Sequence, residues 1–322
     1  MKTAQTKKKF KKMTQKEKIE KIKKSNEKHT QEFIEGLEQS LKWNKPWKPF
    51  ANGIAKNAKT GRCYSGDNIM RLSSCSRWAT YQTWKSLGAQ VRKGEKSTPV
   101  PYWKVWSKEE EIIQPDGSIE IEKTGGMYLS AIHNLFSADQ VDGYINPDGT
   151  PDESAGKKCK YDSFFEAQNV TTDFKNIDSA SYIPMLDMIQ MPTLECFENE
   201  EEFVATLAHE HLHAVGHDGR LGEQVQPEMD RYHSSKKVRA LNELVAELCG
   251  SLTSSLMGYQ KDGVTDNHKA YINSWIKYLK QDEKALMTAS KMAFKGFMYM
   301  QDKATRAGAG IEDLQFNEYE EK

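Results

Sequence analysis

The sequence predicts two successive α+β domains: a mixed α/β domain over about residues 30–145, then a mostly helical domain over about 161–305. Three observations carry this. The chain has 322 residues, room for two ordinary domains. β-like alternation between Val100 and Phe136 gives way to long helical repeats after Asn199. The formal net charge of zero hides an asymmetry: residues 1–108 hold 26 Lys+Arg and 8 Asp+Glu, and residues 109–322 hold 20 and 38.

Hydrophobic residues make up 37% and charged residues 29%, which is polar for a globular chain, but 10% aromatic content argues against wholesale disorder. No run is long and apolar enough for a transmembrane helix, and the Lys-rich start lacks the apolar core of a secretory signal. The five Cys form no CxxC pair, and their wide spacing reads as free thiols in a reducing cytoplasm. A basic half joined to an acidic half suggests a nucleic-acid-facing module beside a different activity.

The elements follow in order. Residues 1–29 form a basic extension (Lys7-Lys8-Lys9, Lys11-Lys12, Lys23-Lys24) expected to fray. Phe33, Ile34, Leu37 and Leu41 mark an amphipathic helix stopped by Pro46 and Pro49. Residues 52–68 read as loop or hairpin, and Arg77–Leu87 as a helix ended by Gly88. Val100–Trp106 and Met127–Phe136 read as strands, with Pro115-Asp116-Gly117 as a turn between them. Residues 146–160 form the linker. Ser181–Pro192 reads as an edge strand. Asn199 caps a helix that runs to Val215 and stops at Gly216. A second helix covers Val238–Leu256, two more cover about 268–282 and 284–304, and an acidic, loose tail covers 306–322.

The chemistry concentrates in His209-Glu210-His211-Leu212-His213. His209 and His213 are four apart on a helix, so both imidazoles leave one face and can share a Zn²⁺ at about 2.0–2.1 Å each. Zinc lowers the pKa of a water to near 7, and Glu210 beside it can take the proton, the logic of a zinc metallopeptidase. A third protein ligand is required. The long pattern with a further His fails, because position 219 is Gly219. Glu243 and Glu247, four apart on the second helix, are better placed. Glu243 is assigned as ligand and Glu247 as the acid orienting a ligand His, with the swap left open. His211, two residues from each ligand, points away. Tyr182, His217, Tyr232 and His233 are candidates for oxyanion or substrate contacts.

The basic half interleaves aromatics with cations. Trp43, Trp47, Arg62, Tyr64, Arg71, Arg77, Tyr81, Arg92, Lys93 and Lys96 are the candidate DNA contacts, since stacking platforms beside phosphate-binding cations suit single strands. Trp78, Trp84 and Trp103 are assigned to the core.

Together the motifs look familiar. Trp43-x-x-Pro46-Trp47, Thr60-Gly61-x-x-Tyr64-x-Gly66-x-Asn68, Trp78-x-Thr80-Tyr81-x-x-Trp84-x-x-x-Gly88, Val91-Arg92-Lys93-Gly94-Glu95-Lys96 and Phe136-x-x-Asp139-Gln140-x-x-Gly143 resemble the N-terminal domain of ArdC-type antirestriction proteins. Tyr182-x-Pro184-x-x-Asp187-x-Ile189-x-Met191-Pro192, Thr206-Leu207-x-His209-Glu210-x-x-His213-x-x-Gly216-His217, Arg220-Leu221, Glu243-Leu244-Val245-Ala246-Glu247-Leu248 and His268-x-Ala270-Tyr271-Ile272-x-x-Trp275 resemble their C-terminal domain. The resemblance covers about residues 30–303. It implies a single-stranded-DNA-binding domain followed by a zincin-like metallopeptidase domain, and a role in protecting incoming plasmid or phage DNA from host restriction. His211 departs from a usually small or apolar position, and the basic extension is longer than usual. The expectation is therefore one zinc per chain on His209, His213 and Glu243, with single-stranded DNA and a host protein substrate as partners and no membrane. The alternative is a non-catalytic DNA-shielding protein with a structural or vestigial metal site.

Overall fold

The structure is a computed structural model. It describes residues 13–43, 50, 53–113, 119–145, 161–259, 266–312 and 314–316, with backbone alone for 42–43, 105, 107–113, 119–124 and 266–270. The linker at 146–160, the Pro115-Asp116-Gly117 turn, Trp47 and the Lys-rich residues 7–12 lie outside the described residues, as do the side chains of Trp43 and His268.

The first element is longer than expected. Helix α1 runs Gln15–Trp43, so the basic extension is helical from Gln15 onward. Two features hold it. Lys24–Glu20 and Lys28–Glu32 are i,i+4 pairs on its solvent face. Its cations also dock on a strand: Lys18 Nζ donates to the Ser130 carbonyl at 2.7 Å, Gln15 Nε2 to the Leu129 carbonyl at 3.1 Å and Lys21 Nζ to Asn134 Oδ1 at 2.7 Å. The pairing of that strand shifts register between Tyr102 and Trp103, and such a bulge frees carbonyls for these donors.

After α1 come β1 (Lys56–Asn57), α2 (Asn68–Arg71), β2 (Arg77–Thr80), α3 (Tyr81–Ser86), β3 (Gln90–Val91), β4 (Thr98–Ile113), β5 (Ile119–Ser137) and β6 (Val141–Asp142). The sheet order is β1-β2-β5-β4, with β1 parallel to β2 and the other pairs antiparallel. β3 and β6 form a separate antiparallel pair. The helix expected over Arg77–Leu87 is a strand followed by a helix. Trp78, Ala79 and Thr80 pair with β5, and Thr80 then caps α3 by accepting from the Thr83 amide. Trp78 and Trp84 are buried, as assigned, and Trp103 is half-buried.

The second half holds α4 (Tyr161–Glu166), β7 (Thr171–Lys175), β8 (Ser181–Ile183), β9 (Met188–Pro192), α5 (Glu200–Val215), α6 (Lys236–Leu256), α7 (Asp266–Gln281) and α8 (Ala285–Arg306). The single edge strand expected over Ser181–Pro192 is two strands joined by a 3-10 turn at Pro184–Leu186. β9 is central in the order β7-β9-β8, because Ile189 and Met191 are fully buried. The largest core gathers α4 to α8 together with Phe33, Ile34, Leu37, Phe50, Ile54, Ile69 and Met70. The tail is tied down: the Gln301 side chain hydrogen-bonds the amide and carbonyl of Ile311, the Cys63 amide donates to the Gln315 carbonyl at 2.6 Å, and Phe316 packs edge-on against Phe294. An aromatic side chain with a core to enter overrides the acidic composition around it. Residues 317–322 lie outside the described residues. Cys63, Cys75, Cys196 and Cys249 are free thiols. No described helix is long and apolar enough to cross a membrane.

Candidate metal centre

Two helices build the centre. Asn199 caps α5 as expected, its side chain accepting from the Glu202 amide at 2.8 Å, a contact worth about 1 kcal/mol. Glu200, Glu201 and Glu202 complement the positive end of the helix. Phe203, Val204, Leu207, Ala208 and Leu212 bury one side of α5, which turns Glu202, Thr206, His209 and His213 to a cleft of about 560 Å³. α6 buries Leu244, Val245, Leu248 and Leu252. It crosses α5 closely at Gly250, where a Cβ would stand 2.9 Å from the Ala205 carbonyl and 3.2 Å from the His209 amide. Glycine at this crossing lets Glu243 and Glu247 reach the imidazoles.

His209, His213 and Glu243 each offer one ligand atom, all within 4.8 Å of one another. The imidazole Nε2 atoms are 3.2 Å apart, and each is 3.6 Å from a Glu243 oxygen. Donors about 2.0–2.1 Å from one ion at the tetrahedral angle stand about 3.3 Å apart, so the set fits one divalent cation. Each imidazole has a neighbour at its other nitrogen. Gln226 donates its Nε2–H to the Asn242 carbonyl at 3.2 Å, so its Oε1 faces His213 Nδ1 at 2.9 Å. That arrangement puts a proton on Nδ1 and the lone pair of Nε2 toward the triad. Glu247 Oε2 lies 3.6 Å from His209 Nδ1, a buried nitrogen with no shorter hydrogen bond among the described residues. The tyrosine hydroxyl of Tyr232 donates to Glu243 Oε1.

The electrostatics follow from burial and crowding. Burial alone pushes the His209 imidazole toward neutrality, but Glu243, Glu247 and the charge of Glu210 outweigh it and raise its pKa to about 10. Burial likewise opposes the charge on Glu243, and His209, His213 and Tyr232 outweigh it, lowering its pKa to about 2. The carboxylates that favour a proton on His209 are also the groups a divalent cation would meet there.

Glu210 is buried beside the triad, and its Oε2 accepts the Tyr182 amide of β8 at 2.8 Å. The Tyr182 hydroxyl is committed elsewhere: it donates to Asp187 Oδ1 at 2.8 Å, and Arg220 clamps the same carboxylate while its Nε donates to the Ala214 carbonyl at 2.6 Å. Arg220 holds the Asp187 pKa down to about 2. Asp187, at φ 46°, closes the turn between β8 and β9. The network ties the end of α5 to the strand that touches Glu210.

Some nominated residues fall elsewhere. Tyr182 lines the cleft, but its hydroxyl faces Asp187, so it offers the site an amide rather than a phenol. His217 lies past the end of α5, accepts the Gly219 amide on Nδ1 and is not in the lining. Tyr232 and His233 do line it, as do Tyr271 and Trp275, which the sequence offered as motif residues but not as site residues. His211 points away: it is 1% exposed, contacts the Leu207 carbonyl at 2.8 Å and packs on Phe165, and burial lowers its pKa to about 4. Gln226 was passed over, and Asp187 and Arg220 were quoted only as motif residues without a role. They come from turns, where spacing carries no signal.

In the basic half, Arg71 and Tyr64 are corrected to interior residues. The Arg71 side chain is 0% exposed and pairs with Asp67 at 3.0 Å, and the Tyr64 hydroxyl donates to the Trp78 carbonyl at 3.5 Å. A buried pair inside the fold is not available to a phosphate. Arg92 is exposed but donates to the Asp139 carbonyl, Glu95 and Asp142. Arg77 is half-buried, while Arg62, Tyr81, Lys93 and Lys96 are exposed.

The two halves match two family models. Residues 23–133 match the N-terminal domain of anti-restriction factor ArdC, and residues 159–292 match a zincin-like metallopeptidase. The fold matches the metal-free crystal structure of the antirestriction ArdC protein from plasmid R388, with TM-score 0.61 and 26% identity over 87% of this chain and 98% of that one. The chain is an ArdC-type protein. The Mn(II)-bound R388 ArdC structure matches with TM-score 0.59. An Escherichia coli DNA primase TraC is 29% identical over 79% of this ArdC-type chain, and a second is 30% identical over 75%. The chain spans only 24% and 17% of their lengths. The uncharacterized protein y4eC of Sinorhizobium fredii is 27% identical over 83% of this chain and 88% of its own.

Proposed function

We propose that this is an antirestriction-type protein of a mobile element that holds single-stranded DNA on its N-terminal half and cleaves a protein with a zinc-dependent peptidase site. The observation that carries the reading is Glu210, a carboxylate beside the metal triad and separately oriented by the Tyr182 amide. A cation that only cross-links helices has no use for it. His209, His213 and Glu243 would hold the zinc, and Glu247 would orient His209. Bound zinc would supply Lewis acidity and a water acidic enough to ionise near pH 7. Glu210 would take that water's proton as general base and pass it to the leaving amine.

The DNA surface includes the β4–β5 hairpin. Tyr128 lies opposite Lys104 and Gly126 opposite Trp106, so Lys104, Tyr128 and Trp106 share one face. Trp106 and Tyr128 are 46% and 47% exposed, large aromatics with no core to fill. Gly126 leaves room for the indole, since a Cβ there would meet Trp106 Nε1 at 3.2 Å. Together with Arg62, Lys93 and Lys96 they supply stacking faces and phosphate-binding cations in a cytoplasmic protein.

A second reading rests on the way the triad joins α5, α6 and, through Gln226 and Tyr232, the segment between them: a structural metal in a protein that shields DNA. Digestion of a peptide library by chelator-treated chain, before and after zinc is restored, separates the two. The peptidase reading expects cleavage only after restoration. A zinc-loaded chain that cleaves nothing supports the shield.

A further inference from the structure

The cleft at the metal triad has a marked sign. Among the described lining residues there is no Lys or Arg, while four carboxylates face it: Asp178, Glu202, Glu210 and Glu243. A divalent cation balances Glu210 and Glu243 and leaves Asp178 and Glu202 as net negative charge. Glu202 sits on the first turn of α5, on the same stripe as Thr206 and His209. Seven residues of helix place it about 10 Å along the axis from His209, the span of about three residues of extended peptide. Phe197 and Pro192 line the same cleft. Such an apolar wall can cover an aliphatic stem whose charged head reaches a carboxylate.

We infer that the cleft selects polypeptide segments carrying Lys or Arg within about three residues of the bond placed at the metal, with Glu202 and Asp178 as the specificity-determining residues. The inference rests on the peptidase reading and names its substrate class. A basic segment is also what nucleic-acid-binding proteins present to phosphates, so a DNA-held enzyme would meet its substrate class where it is bound. Arg231 is paired with Glu228, and Arg239, which stacks on Tyr232 from outside the lining, offsets only part of the negative charge.

The test separates binding from cleavage. The full-length Glu210→Gln chain, loaded with zinc, is titrated with dye-labelled ten-residue peptides of Ala, Gly and Leu that carry one central Lys, norleucine or Glu. The expected result is Lys bound about tenfold tighter than norleucine and Glu weaker still, a preference that shrinks with salt. The Asp178→Lys/Glu202→Lys variant, checked for unchanged zinc content, should reverse the order; Asp178→Asn/Glu202→Gln should abolish it. Equal affinities, no binding of any peptide, or an order unchanged in the charge-reversed chain overturns the inference. Cleavage of the same peptides by the wild-type chain is scored separately. Lys-selective binding without cleavage would retire the peptidase reading and leave the selectivity standing.

Discussion

At the scale of single residues, the candidate metal centre places two glutamates one helical turn apart against different atoms. Glu243 meets the Nε2 side of both imidazoles and is held by Tyr232, while Glu247 stands at the Nδ1 side of His209. Zinc affinity should therefore fall further in Glu243→Ala than in Glu247→Ala, for which an orienting role implies a loss of about 10–100-fold. Competition titrations against a chelator measure both, and the reverse order would swap the assignments. A second expectation comes from the proton on His209. Its pKa is raised to about 10, so this group stabilises the cation-free fold fully below its unfolded value of 6.5, and that stability is lost progressively as pH rises from there through about 10. A cation must displace this proton at neutral pH. Zinc affinity should rise about tenfold per pH unit between pH 6 and 8, with about one proton released per ion. Calorimetry in buffers of different ionisation enthalpy reads the release, and a buffer-independent enthalpy would contradict it. The convergence of His209 and His213, with Glu210 beside them, was legible in the sequence because i,i+4 spacing on one helix fixes which side chains share a face. Gln226, which orients His213 from a turn between two helices, left no periodic trace.

At the scale of elements, the approach of α6 to α5 decides the site. A Cβ at Gly250 would meet backbone atoms of Ala205 and His209, which cannot rotate away. Gly250→Ala must push the helices apart by a few tenths of an ångström, so it should cost about 1–3 kcal/mol of stability and weaken zinc binding. Thermal melts with and without zinc test this; a variant with wild-type zinc affinity would refute the close-approach account. α5 was legible end to end, since Asn199, the three acids after it and Gly216 are local signals. β2 and α3 were read as one helix because the force that extends Trp78 and Ala79 is pairing with β5, more than fifty residues later in the sequence. α1 was cut short for a related reason: its cations find carbonyls on a distant strand, which composition cannot reveal.

At the scale of the whole molecule, a basic aromatic surface and an acidic cleft with a candidate metal triad occupy one chain, and its largest core cluster draws on residues of both halves. The charge asymmetry pointed to that division from the start, but it could not say which aromatics are interior. Tyr64 went inside, while Trp106 and Tyr128 stayed out. Trp106→Ala/Tyr128→Ala should weaken single-stranded DNA binding by about 1–3 kcal/mol per lost stack, with little change in its salt slope. Titrations of single- and double-stranded oligonucleotides across salt measure this, and an unchanged affinity would move the DNA surface elsewhere. The central claim is that the metal centre does chemistry in service of DNA protection. Its most direct test is Glu210→Ala, scored together for zinc content and for protection of incoming DNA in restricting cells. The account predicts a chain that keeps one zinc and loses protection; a variant that keeps both would contradict it.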